Sequence, residues 1–84
     1  MLYDANNLKE TRDIYSDICI LGAGAAGITI AKELANSKYK VNLIESGDFN
    51  FDEKIQNLYD GESIGQPYSI TKTRLRYFGG TTNH

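Results

Sequence analysis

Eighty-four residues allow at most one small domain, and 40% hydrophobic with 24% charged residues is a globular rather than a disordered composition. A net charge of −2 and a sequence pI near 5.2 give no general attraction to nucleic acid or to an anionic membrane. The single cysteine, Cys19, excludes an internal disulfide and a thiolate metal cluster. No run approaches the roughly 18 apolar residues of a membrane span, and the start lacks the parts of a signal peptide, so a cytoplasmic location is the default expectation.

Residues 1–13 are polar, with Asn6-Asn7 and mixed charges, and read as a loose arm or a short helical turn. Residues 14–21 form the first apolar, strand-forming run, with Cys19 inside it as a small core residue. The run drives into three glycines, Gly22, Gly24 and Gly27, spaced G-x-G-x-x-G. In such a motif the first glycine allows the tight turn, the second lets a pyrophosphate approach the backbone, and the third lets the helix pack closely on the strand. The following helix, predicted over 25–36, carries Ile28, Ala31, Leu34 and Ala35 as an apolar stripe, with Lys32, Glu33 and Asn36 on the other side. Its N-terminus, with Ala25 and Ala26 in the first turn, offers N–H groups and a partial positive charge to phosphates.

A second strand over 41–45, Val-Asn-Leu-Ile-Glu, ends on an acid. That is where a dinucleotide-binding unit needs a partner for ribose hydroxyls. Strand, glycine turn, helix, strand and Glu45 fall in order within about thirty residues, the dimensions of a βαβ unit. The alternative, a buried strand with a glycine-rich turn, leaves Glu45 unexplained. The fold class is therefore α/β, a Rossmann-like βαβ unit with core 14–45. One helix covers only one face of a parallel strand pair, and the sequence encodes nothing to cover the other.

From Glu45 to Glu62 there are six acids against one base, Lys54, and residues 46–71 read as a solvated acidic loop with a short helix around 52–59. Asp60-Gly61 and Gly65-Gln66-Pro67 are turn signals. In the last segment, 72–84, Lys72, Arg74 and Arg76 alternate with Thr73, Leu75 and Tyr77, which predicts an extended piece. Gly79-Gly80 and Thr81-Thr82-Asn83-His84 then form a second place where backbone N–H groups could meet an anion or a ring carbonyl.

Together, Asp17 through Gly27, the Glu45-Ser46-Gly47 ending of the second strand, and Arg74-Leu75-Arg76-Tyr77-Phe78-Gly79-Gly80-Thr81-Thr82-Asn83-His84 resemble the N-terminal part of a glucose-methanol-choline (GMC) oxidoreductase. The first stretch is shared by many flavoproteins. The last is similar to the sugar-oxidising branch that includes pyranose oxidase and enzymes like the fructose and gluconate dehydrogenase subunits. The resemblance implies FAD, with its ADP half on Gly22, Gly24, Ala25, Ala26 and Gly27 and its adenosine ribose on Glu45. Ser46, Arg76, Gly79, Gly80, Thr81, Asn83 and His84 would complete the cofactor site.

Members of the family oxidise an alcohol or sugar hydroxyl by hydride transfer to the flavin, using a histidine base from a distant C-terminal segment. The resemblance therefore implies a truncated chain, inactive alone, with no catalytic residue of its own. In pyranose oxidase a histidine in the corresponding stretch is bonded covalently to the flavin, and His84 occupies that place; the other reading is that His84 only hydrogen-bonds or packs beside the ring. An acid at Glu45 suits a free 2′-hydroxyl and disfavours NADP, which leaves NAD as the alternative dinucleotide. A non-catalytic remnant or interaction fragment is the rival of another class.

Overall fold

The computed structural model describes residues 1–83. After a single 3-10 turn at Ala5–Asn7, capped by the Asp4 carboxylate, the chain enters strand β1, Ile18–Leu21. Helix α1 spans Ala25–Leu34 and strand β2 Val41–Ile44, and the two strands run parallel with Ile18 opposite Val41 and Leu21 opposite Ile44. This is the Rossmann-like α/β unit that the residue pattern predicts. β1 is shorter than the predicted 14–21: pairing with β2 begins only where Asp17 N–H donates to Lys40 O at 2.9 Å, and Ile14 and Tyr15 lie exposed before it. Asp17 also accepts from Lys40 N–H through its carboxylate at 2.7 Å, so one residue fixes where the strands start.

Alternation along β1 sends Ile18 and Ile20 toward α1 and Cys19 and Leu21 away from it. On the helix side Ile28, Ala31 and Leu34 are half-buried, as are Val41 and Leu43 of β2. The opposite face is bare: Leu21 is 79% and Ile44 51% exposed. Cys19 shares that face and is exposed, which corrects its reading as a core residue; the uncovered side of a strand pair cannot bury what points into it.

Past β2 the chain makes a short helix α2, Glu53–Gln56, continued by a 3-10 turn at Asn57–Tyr59, where the acidic segment was expected to carry one. The Asp52 carboxylate caps α2 by accepting from Lys54 and Ile55 N–H at 2.7 and 3.2 Å. A further helical turn, α3, spans Ile70–Thr73. The extended piece expected from residue 72 therefore begins only at Arg74; Lys72 and Thr73 belong to α3, where the Thr73 hydroxyl bonds back to Ser69 O at 2.8 Å. The last element is a 3-10 turn, Gly80–Thr82.

The chain is open. Its radius of gyration is 15.0 Å, against about 12 Å for a compact chain of this length. It exposes 7286 Å² where a folded monomer of 9.4 kDa exposes roughly 5000 Å². Among the described residues Ala23 alone is a buried hydrophobic.

Candidate functional site

The site grows from the end of the two strands. Gly22 leaves β1 at φ +102°, a left-handed backbone that favours glycine, and its N–H donates to Ile44 O at 2.8 Å. The turn is thus clamped to the end of β2. Gly27 is required by packing: a Cβ there would overlap the Gly22 carbonyl and lie 3.3 Å from Ile20 Cγ2. Gly24 differs from both. Its φ of −83° suits any residue, and a Cβ built on it meets nothing within 4 Å. Neither backbone conformation nor protein packing demands glycine here, and the space in front of it is open to whatever approaches the turn. Gly24 is also the N-cap of α1 and no side chain caps the helix, so Ala25 and Ala26 begin a first turn with N–H groups available to an anion.

Glu45, at the tip of β2, reaches into the same turn. Its Oε2 accepts from Ala23 N–H at 2.7 Å, and Oε1 accepts from Gly47 N–H at 2.9 Å and from the Ser46 hydroxyl at 3.3 Å. Partial burial pushes the carboxyl pKa up, but the backbone N–H groups of Gly47, Ala23 and Ser46 and the Ser46 hydroxyl more than offset this and hold it below its ordinary value. A carboxylate offers about four acceptor positions. The Ala23 and Gly47 N–H groups and the Ser46 hydroxyl take most of them. Glu45 therefore shapes the glycine turn as well as presenting a charge beside it.

The segment after α3 closes on this turn. Arg76 Nε donates to Ser46 Oγ at 2.7 Å, and its guanidinium lies over the Tyr59 ring, 4.9 Å from the centroid. The backbone of Arg76 and Tyr77 passes so close to Gly47 that a Cβ there would overlap it. Phe78 N–H donates to Asp48 O at 3.0 Å, and the Phe78 and Phe49 rings pack at 5.2 Å. Gly79, at φ +94°, then donates its N–H to Ala23 O at 2.7 Å, and a Cβ on Gly80 would lie 3.2 Å from Gly24 Cα. Two glycine-rich stretches more than fifty residues apart in sequence are thus in backbone contact.

The remaining predicted residues divide. The Thr81 hydroxyl accepts from Leu75 N–H at 3.1 Å. The Asn83 amide donates to Phe78 O at 2.9 Å, and Asn83 O accepts from the Tyr77 hydroxyl, so both residues fasten the loop internally. Asn83 and Gly79 also line a groove of about 410 Å³ with Phe78, Ala25, Thr29 and Lys32, between the loop and the first turns of α1. His84 lies outside the described residues. Residues that sequence reasoning missed are Tyr59, which carries Arg76, and Gln56, a 5% exposed side chain bonded to the 71–76 backbone. Neither belongs to a spaced motif, and a glutamine in an acidic segment carries no periodic signal. No group of three or more His, Cys, Asp or Glu among the described residues is placed to hold a metal ion, and no helix among them is long and apolar enough to cross a membrane.

Parallel strands joined through a helix, a glycine turn clamped to the end of β2, and an acid at that end make up a Rossmann-like α/β unit. Residues 20–51 match the family described as "NAD(P)-binding Rossmann-like domain". The chain is 46% identical over 52 residues to the ubiquinone hydroxylase UbiM of Neisseria meningitidis serogroup C, an alignment that takes in 61% of this chain and 11% of that protein. No solved structure matches.

Proposed function

We propose that this chain forms the ADP-binding part of an FAD site in a flavin-dependent oxidoreductase. The observation that carries the reading is Gly24, a glycine that the protein's own backbone and packing do not require, at the uncapped start of α1. A pyrophosphate held there would take N–H bonds from the first turn, and the Glu45 carboxylate beside it would take a ribose hydroxyl. When bound, FAD supplies the redox chemistry, and the chain's own residues bind and orient it. Ser46 and Arg76 brace the ribose end of the site, and Gly79 and Gly80 narrow the approach to the pyrophosphate.

Support for FAD over NAD comes from the 72–84 segment. A nicotinamide-binding unit does not require a second glycine loop, yet here one is docked on the first. The GMC reading, oxidation of an alcohol or sugar hydroxyl by hydride transfer to the flavin, rests on the resemblance of Arg74–His84 to that family. A second reading, hydroxylation, is favoured by the likeness to a ubiquinone hydroxylase over 61% of the chain. Both readings need the same dinucleotide site.

Fluorescence anisotropy of flavins added to the 84-residue chain tests the shared commitment. FAD should bind, FMN, which lacks the ADP half, should not, and ADP should compete while NADP⁺ should not. Binding of NAD⁺ with no binding of FAD would overturn the proposal.

A further inference from the structure

Gln56 stands outside every motif in the sequence, yet it is the buried polar side chain of the described residues, 5% exposed. Both donors of its amide and one acceptor position are used. Nε2 donates to Thr71 O at 2.8 Å and to Arg74 O, while Oε1 accepts from Arg76 N–H at 2.9 Å. Only one orientation of the amide satisfies two carbonyls and one N–H at once, so the network itself assigns it. These bonds hold α2 to the backbone on the far side of the exposed 60–69 loop, at the point where the chain turns toward the glycine site.

From Arg76 onward the chain has three attachments to the dinucleotide site. The Arg76 side chain bonds Ser46, Phe78 N–H bonds Asp48 O, and Gly79 N–H bonds Ala23 O. Each depends on where the 74–76 backbone lies. α3 is only four residues long and cannot set that position alone. We infer that Gln56 is a positioning residue for the dinucleotide site: by gripping residues 71–76 it places Arg76 beside Glu45–Ser46 and seats Gly79–Gly80 on the first glycine turn. This rests on the FAD reading above. Gln56 touches no cofactor itself and acts through the segment it holds.

Glutamine is specified by chemistry. A glutamate at this position would face two carbonyl oxygens with an acceptor and would leave both without donors. A methionine would restore the bulk and none of the bonds. Hydrogen exchange of backbone amides in the 84-residue chain, with and without FAD, separates the roles. In Gln56→Glu and in Gln56→Met, exchange at Gly79 N–H should quicken roughly tenfold, as expected for a lost anchoring hydrogen bond. Gly22 N–H, bonded to Ile44 O, and Ile28 N–H, bonded to Gly24 O, should stay as protected as in the parent chain. The Kd for FAD should rise by a similar roughly tenfold factor in both variants.

Three results overturn the inference. Loss of protection throughout β1 and α1 would show that Gln56 holds the fold as a whole. Restored Gly79 protection in Gln56→Met would make it a space-filler. Equal exchange at Gly79 in parent and variants would mean that the docking does not depend on it. Failure of the parent chain to bind FAD, with the Gly79 pattern as expected, would overturn the cofactor reading and leave Gln56 as the anchor of the segment.

Discussion

Glu45 is the residue on which the site turns, because it serves two partners at once. It fixes the glycine turn through Ala23 N–H and the chain beyond β2 through Gly47 N–H, and under the proposed FAD reading it would also take a ribose hydroxyl. Glu45→Ala should weaken FAD by about 1.5 kcal/mol, the low end for a charge-assisted hydrogen bond because the carboxylate is only partly buried. Retention of flavin through extensive dialysis, compared between the parent chain and the variant, measures this. The lowered carboxyl pKa carries a second expectation. Below the ordinary glutamate value of about 4.3 the unfolded chain takes up the proton first, so the stabilisation from Glu45 is complete above that value. It is lost as the pH falls through the lowered folded value. Denaturant midpoints measured from pH 6 downward should therefore fall more steeply in the parent chain than in Glu45→Gln.

At the scale of elements, the glycines of one turn meet different constraints. Gly27→Ala drives a methyl into the Gly22 carbonyl and should cost about 1–3 kcal/mol of stability, because α1 must move off β1. Gly24→Ala meets open space but puts alanine at the N-cap of α1, so it should cost no more than about 1 kcal/mol of stability while weakening FAD. Thermal melts of the two variants together with FAD titrations check the contrast. Equal loss of affinity with equal loss of stability would place both glycines in the packing.

The βαβ unit was legible because every signal was local: an apolar run, three spaced glycines, a helical stripe and a terminal acid. The partnership of Gly79 with Ala23 was not, since nothing in either stretch names the other. Gln56 and Tyr59 were hidden for the same reason, and Cys19 was misjudged because an apolar strand does not say which of its faces is covered. Thr73 shows a further limit: alternation of charge suggested an extended chain, and Lys72 and Thr73 lie instead in the last residues of α3.

Over the whole molecule the bare sheet face sets the behaviour. Ordering costs roughly 1.5 kcal/mol per residue, and a structure with Ala23 as its buried hydrophobic has little burial to offset that. The isolated 84-residue chain should melt broadly and bind a hydrophobic dye, and Cys19 should react with a thiol reagent at nearly the rate of a free thiol. A sharp, cooperative calorimetric transition together with a protected Cys19 would contradict this.

The register of β1 against β2 also determines where the chain tolerates a change of length. Leu21 opposite Ile44 brings Glu45 level with Gly22, from where its carboxylate reaches Ala23 N–H, and a slip by one residue would send Glu45 to the other face of the sheet. One extra residue among the exposed positions 36–39 lies before the Asp17–Lys40 pairing and can bulge outward without disturbing it. The same residue inserted between Val41 and Glu45 has no such slack. Insertion scanning with FAD retention as the readout should find tolerance ending abruptly at Lys40, so that a single backbone pairing marks the border between spacer and ruler.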